Sequence, residues 1–316
     1  MSKLICMGEC LIDFLPLDGE LSFAGKAGGA PTNVCSSVGK LGGESYYLGM
    51  MARDNFSNFL LEKLKKCNVK TDYVSFTDKA GTGLAFVSLD KNGDRSFSFF
   101  RNPCADMLFD KDEVREEYFE KGDVLHFCSV DLVDCPTKEA TKKAIDIASK
   151  KGCYVSFDVN LRLNIWNDDA KCLTVVKEFL PLCDIVKVTD EELSLITKEN
   201  DLQKGVEKMF DLSKNAKLLF VTMGENGAAM FSKTEKHFEK AAKTNVVDTT
   251  GAGDCFSGTI IFNILSRKNK DKQQLKFGEM INAVKMASKA CAIVVSRKGA
   301  MESMPTMEEI ENYDRY

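Results

Sequence analysis

The sequence predicts an α/β fold: three layers, with a mainly parallel central sheet flanked by helices, and a small antiparallel β flap set into it. Three observations carry this. Short β-like runs, LICMG (4–8), VLHFC (124–128), YVSFDV (154–159), DIVKV (184–188) and LLFVTM (218–223), are each followed by amphipathic segments such as 137–151 and 168–180. That alternation needs crossover helices and therefore parallel strands. Two stretches, 13–25 and 81–101, break the rhythm; in the second, TGLAFVSL and RSFSFF flank an Asn92-Gly93 turn signal and so read as a hairpin. Finally, polar residues and glycines cluster near the ends of these runs: Gly8-Glu9, Asp158 and Asn160 in Asp158-Val159-Asn160, Thr189 to Glu192, and Gly224. An open sheet of this kind gathers such positions into one crevice beyond its C-terminal strand ends.

With 316 residues, 44% of them hydrophobic, and no repeat or Pro/Gly/Ser linker, the chain is expected to form a single domain over 1–316 with the flap segments inserted. A net charge of −4, from 43 basic and 47 acidic residues well mixed, provides no basic field for nucleic acid or an anionic membrane. The N-terminus reads as a strand followed by an acidic turn rather than a signal peptide, and no run approaches a membrane span. Twelve cysteines are scattered without a CxxC, which suits reduced thiols in cytoplasm. The two histidines, His126 in an apolar strand and His237 in a charged hairpin, are expected to be structural and leave little material for metal clusters or His-based relays.

The most informative stretch is DTTGAGDCFS (248–257), expected to be a strand-to-helix turn between the β-branched pair Val246-Val247 and a helix bearing Phe256, Ile260 and Ile264. Gly251, Ala252 and Gly253 have little or no side chain, so an oxyanion can approach the unpartnered N–H groups at a helix start. Asp254 puts a carboxylate in the first turn, where the helix dipole is expected to favour its ionised, proton-accepting form. Phosphoryl transfer needs chiefly positioning and charge neutralisation, which such a cradle supplies. Taken alone, the same residues could simply cap a tightly packed helix. Other phosphate-binding signatures are missing: there is no GxxxxGK[ST], no GxGxxG after the first strand and no protein-kinase catalytic loop.

With GGAPTNVC (28–35), DVNLR (158–162), VKVTDEE (186–192), VTMGENG (221–227) and DTTGAGDCFSG (248–258), the chain resembles the ribokinase-like (PfkB) sugar kinases almost end to end. FFRNPCADM (99–107) and DVNLRLNIW (158–166) are most similar to the fructokinase branch. The resemblance implies the ribokinase-like fold, ATP and Mg²⁺ as cofactors, and fructose as phosphoryl acceptor. It makes Asp254 the base and Gly251, Ala252 and Gly253 the holders of the phosphoryl group. It places Asp13, Gly28, Gly29, Asn33, Arg101 and Asn160 on the sugar, with Arg162 as a further cation for an acidic one. Lys187, Thr222, Gly224, Gly227 and Asn282 would lie near ATP, Glu192 would act on Mg²⁺ through water, and Asp248 and Thr250 would hold a monovalent cation, potassium. The flap would close over the sugar and join two subunits through Phe97, Phe99 and Phe100.

Four positions depart from the family pattern: Val159 stands for Pro, Thr189 for Asn, and Cys35 and Cys255 for Ala. Cys255, at a helix start beside the base, is expected to have a lowered pKa and to be sensitive to oxidation. Kinases for 2-keto-3-deoxygluconate, another ketose or a nucleoside remain alternatives, as does a catalytically silent sensor on the same fold.

Overall fold

The computed structural model describes residues 2–17, 21–89, 95–101, 103–166 and 168–313, without the side chains of 88–89 and 95–97. Its strands are β1 (Leu4–Met7), β2 (Leu11–Pro16), β3 (Phe23–Gly28), β4 (Ser45–Ala52), β5 (Val69–Thr77), β6 (Gly83–Leu89), β7 (Arg95–Phe100), β8 (Val124–Cys128), β9 (Tyr154–Asp158), β10 (Ile185–Thr189), β11 (Leu218–Thr222), β12 (Ala228–Phe231) and β13 (Lys236–Glu239). The helices are α1 (Ala30–Lys40), α2 (Asn55–Lys66), α3 (Pro136–Lys151), α4 (Asp169–Phe179), α5 (Asp190–Thr197), α6 (Leu202–Leu212), α7 (Ala252–Leu265), α8 (Ile281–Val295) and α9 (Met307–Glu311).

Nine strands form one sheet in the order β13-β12-β11-β10-β9-β8-β1-β4-β5, parallel except at β11–β12 and β12–β13. Its central strands are buried on both faces, which is why they read as near-continuous apolar runs. Alternate residues of β1 serve opposite cores: Ile5 and Met7 pack with α3 to α6, whereas Leu4 and Cys6 pack with α1, α2, α7 and α8. Strand order reverses at β1, where β4 and β8 take opposite sides, so the chain leaving β1 at Glu9 stands at the crevice.

The flap is a second sheet in the order β3-β2-β6-β7. Its two hairpins are antiparallel, as expected, but they meet along a parallel β2–β6 seam. The Asn92-Gly93 turn lies outside the described residues. Alternation along β7 turns Phe99 toward the crevice and leaves Phe100 65% exposed.

Val246-Val247 does not form a strand, so the turn at Gly251 is entered from a loop. Both side chains are exposed, and Val247 and Asp248 donate their N–H groups to the Val295 carbonyl at the end of α8, at 2.7 and 3.1 Å, instead of to a neighbouring strand. Val159, in the place of a family proline, gives its N–H to the Lys187 carbonyl at 3.0 Å and extends the β9–β10 ladder by a bond that Pro could not make. Both histidines have side-chain partners: His126 Nδ1 lies 3.0 Å from Ser156 Oγ, and His237 Nε2 lies 3.1 Å from Glu239. Burial pushes the His126 pKa down to about 4, so it is neutral.

Candidate active site

A crevice of about 420 Å³ opens at the C-terminal strand ends, between the flap and the start of α7. At its base, Gly251 takes a left-handed conformation (φ 80°) as N-cap of α7, a conformation that favours glycine. A Cβ at Gly253 would lie 2.9 Å from Lys187 Nζ, so the bare backbone there lets the ammonium sit over the turn. Ala252 N–H is turned back to the Thr249 carbonyl at 3.3 Å, whereas Gly253 and Asp254 occupy the first helical turn, whose N–H groups have no acceptor within the helix.

Lys187 sits midway along β10 and is itself braced. Its Nζ lies 3.1 Å from Asp158 Oδ1, and Asp158 Oδ2 accepts the Ser257 hydroxyl at 3.1 Å. Burial works against the lysine's charge, but Asp158, Glu192 and Asp254 more than offset it and raise its pKa.

Asp254 Oδ2 accepts a 2.8 Å hydrogen bond from Asn33 Nδ2, which α1 carries into the crevice. Its pKa is pushed up to about 7, first by burial and then by Asp158, against opposing pulls from Asn33, Lys187 and Arg162. This reverses the expectation from the helix dipole, whose effect of about 1 kcal/mol or less is outweighed by desolvation. Asp13 is likewise pushed to about 7, by burial, Glu9 and Asp254. The glycine pair has a steric cause: a Cβ at Gly28 would lie 2.0 Å from Asp13 Oδ2, and one at Gly29 (φ 112°) 2.4 Å from the Glu9 carbonyl. Asn160 holds a left-handed conformation (φ 42°) at the crevice wall, beside Arg162.

Arg101 is turned differently from its expected place on the sugar. It is 7% exposed and does not line the crevice; its Nη2 pairs with Asp106 at 2.7 Å and with Asp131. A guanidinium drawn from water is held by the carboxylates nearest it.

Thr222 closes β11, with its hydroxyl 3.4 Å from the Val188 carbonyl. Gly224 (φ 54°) borders open space, and Gly227 (φ 97°) is required because a Cβ would lie 2.1 Å from the Glu239 carbonyl. These three flank the crevice without lining it. Asn282 is exposed in the first turn of α8, thirteen residues before Val295 and so about 20 Å along the helix from the end that meets Asp248. It is not brought to the site. The family resemblance had implied a place near ATP for it.

Glu192 lines the crevice, with Oε1 accepting the Leu161 N–H at 2.6 Å and Oε2 the Thr189 N–H at 2.8 Å. Thr189, standing for a family Asn, completes a capping box with it. With both oxygens engaged, this carboxylate suits a water-mediated contact to a divalent ion better than a direct one. Asp248 accepts from Thr250 N–H at 2.8 Å and Gly299 N–H at 3.1 Å, which ties the loop before α7 to the segment after α8. No group of three or more His, Cys, Asp or Glu with metal-site geometry occurs among the described residues. Cys255 is fully buried, and its thiol pKa is raised well above the usual value by a hydrogen bond with the Cys291 thiol and by burial, not lowered by the helix start.

Two residues had no assigned role in the sequence reading. Glu9 lines the crevice and accepts the Ala30 N–H at 2.8 Å, fixing the start of α1; Asp158 orients Lys187. Their signal was their place at a strand end: Glu9 follows β1, where the strand order reverses, and Asp158 closes β9.

Comparison with known proteins agrees with this fold. The profile of the pfkB family carbohydrate kinase matches residues 1–307. The chain belongs to the pfkB family of carbohydrate kinases. Like its family, it is a phosphotransferase acting on a carbohydrate hydroxyl. It is 36% identical over 315 residues to "Probable fructokinase-6, chloroplastic" of Arabidopsis thaliana, covering 97% of this chain and 80% of the relative. Over 310 residues it is 36% identical to "Probable fructokinase-3" of the same plant, covering 96% and 88%. Among solved structures, the fructokinase of Xylella fastidiosa with bound ATP superposes with a TM-score of 0.91 at 30% identity, covering 99% of this chain and 98% of that one. The fructokinase of Vibrio cholerae O395 in its fructose, ADP and calcium form gives the same score and identity, with 99% coverage of both chains. The three-layer pfkB fold expected from the sequence is the one found.

Proposed function

We propose that this pfkB-family kinase transfers the γ-phosphoryl group of ATP to a hydroxyl of fructose, giving fructose 6-phosphate. The observation that carries this reading is the meeting of Asp254, the bare turn at Gly251 to Gly253 and the Lys187 ammonium at the floor of one crevice. Two relatives reinforce it through their own ligands, ATP in one and fructose with ADP in the other.

In this reading the sugar rests against Asp13, the Gly28-Gly29 backbone, Asn33, Asn160 and Arg162, with one hydroxyl toward Asp254. Asp254 takes the hydroxyl proton as the oxygen attacks the γ-phosphorus; Asn33 holds the carboxylate oriented. The N–H groups at the start of α7 and the Lys187 ammonium hold the charge of the moving phosphoryl group. A divalent ion, Mg²⁺, supplies charge neutralisation for the phosphates, with Glu192 reaching it through water. Asp248 and Thr250 would hold a potassium ion; Thr222, Gly224 and Gly227 would border the nucleotide. The flap closes over the sugar, with Phe99 inward, and keeps water from the phosphoryl group. Twelve free thiols suit a reducing, cytoplasmic setting.

A neutral sugar fits this site better than a sugar acid. Glu9, Asp13, Glu192 and Asp254 put four carboxyl groups on the lining against two cations, Arg162 and Lys187, while Arg101 turns its Nη2 to Asp106 and Asp131. Measuring ADP release across ketoses, sugar acids and nucleosides tests this. Fructose should give the highest kcat/KM and 2-keto-3-deoxygluconate a far lower one; the reverse order refutes the assignment.

The pKa of Asp254 sets the pH profile. A carboxyl titrating near 7 is protonated, and idle as a base, in acid. The kcat/KM for fructose should therefore rise with pH through about 7 and level off above it. A profile flat from pH 5.5 to 8 would rule out a base with that pKa.

A homodimer through the flap is also part of the proposal. Phe14, Phe23, Phe86 and Phe100 form a connected aromatic cluster, with Phe86 stacked on Phe14 at 4.8 Å and Phe100 against Phe86 at 5.4 Å, leaving Phe100 the most exposed. The third flap residue named for this contact, Phe97, lies outside the described side chains. Light scattering should give the mass of two chains for the native protein and of one for Phe100→Asp; a native protein that remains monomeric at high concentration removes the proposal.

A further inference from the structure

Ten of the twelve cysteines are buried; Cys135 and Cys291 alone are partly exposed. Cys291 differs from Cys135 in having a second thiol beside it: Cys255 packs against it in the small core between α7 and α8, within hydrogen-bond reach. Cys291 Sγ also lies 3.3 Å from the Ala252 carbonyl, in the turn that carries the anion-binding N–H groups. Cys255 itself follows Asp254 directly. The other touching pair, Cys6 and Cys35, is wholly inaccessible and serves as an internal control.

We propose that Cys291 and Cys255 are a redox modification site, closing to a disulfide that reversibly switches off phosphoryl transfer. The oxidant is a low-molecular-weight disulfide of the oxidised-glutathione class. The Cys291 sulfur, as thiolate, attacks one sulfur of that disulfide and expels the first small thiol. The Cys255 sulfur then attacks Cys291 Sγ and expels the second, its proton leaving with that thiol. Two protein thiols become one disulfide and one small disulfide becomes two thiols, so electrons and protons balance. Burial keeps Cys255 from outside reagents and leaves it able to reach its neighbour, which makes Cys291 the entry point and Cys255 the resolving group. Transient disulfides of this kind occur in reducing compartments.

The inhibition follows from position. Bonding brings the two sulfurs to about 2.05 Å and drags the first turn of α7 toward α8. That turn holds Gly253, whose N–H faces the phosphate, and Asp254, whose carboxylate must meet the hydroxyl; a shift of about 1 Å there can cost roughly 100-fold in turnover. The family residue at position 255, alanine, cannot form this bond, so the switch belongs to this chain and not to its relatives at large.

The functional half rests on the role given to Asp254, whereas the chemical half does not. The test therefore has two readouts on native protein, Cys291→Ala and Cys255→Ala, each treated with oxidised glutathione: peptide mapping without reduction, and turnover before and after dithiothreitol. The native protein should yield a peptide linking 255 to 291, lose turnover in step with it and recover fully on reduction. Cys291→Ala should neither link nor lose turnover, and Cys255→Ala should stop at a glutathione adduct on Cys291. The proposal is overturned if no linked peptide forms, if linkage leaves turnover unchanged, or if Cys291→Ala is inactivated as fast as the native protein. Because linkage is read by mass, a failed assignment of Asp254 remains distinguishable from a failed disulfide.

Discussion

Asp254→Asn is expected to lower kcat by about a thousandfold while changing sugar affinity little. An amide at this position keeps an oxygen for the Asn33 Nδ2 donor, so the side chain stays in place and loses only its capacity to take a proton. Stability should move the other way, and the sign follows from the titration. The folded carboxyl holds its proton to about pH 7, whereas the unfolded one loses it near 3.8. The folded state thus binds the extra proton between those values, and its stability, fully present below about 4, falls as pH rises to about 7. The amide escapes that loss. Asp254→Asn should therefore melt a few degrees above the native protein at pH 8 and level with it at pH 4. Unchanged turnover would remove Asp254 as the base, and an equal melting difference at both pH values would remove the raised pKa.

Lys187→Met should be nearly as damaging to turnover, through charge. Loss of one donor aimed at developing negative charge costs roughly 100- to 1,000-fold in kcat. It should also destabilise the protein by about 3–5 kcal/mol, because Asp158 would be left buried with Ser257 as its remaining side-chain partner. The two effects separate in the double variant Lys187→Met with Asp158→Asn: removing the stranded charge should restore most of the melting temperature and none of the turnover. Full recovery of activity in the double variant would reduce Lys187 to a structural ion pair.

The parallel core was legible because its strands are buried on both faces and its crossover helices are long enough to show their period. Gly28, Gly29 and Gly251 were legible because a Cβ or an ordinary backbone does not fit there, and Asp254 and Asn33 because they stand in the motifs that carry the resemblance. What the chain does not disclose in order is which charges face each other. Arg101 lies in a sugar-kinase motif, yet Asp131, thirty residues on, claims it. Asp254 stands at a helix start that favours ionisation, but strands far away in sequence remove the water that would sustain it. Cys255 was misjudged for the same reason. The parallel β2–β6 seam was hidden because a turn signal reports pairing within a hairpin and is silent about which edges of two hairpins meet.

That seam has a consequence for how the enzyme assembles and breathes. Leu11 finds Gly83 only after β4, α2 and β5 have been laid down between them, so a long loop must close before the four-stranded flap exists. Its backbone should gain protection from solvent exchange after the nine-stranded sheet does, and lose it first. Local melting along one line of hydrogen bonds would then free both hairpins together, giving product a way out while the catalytic floor stays folded.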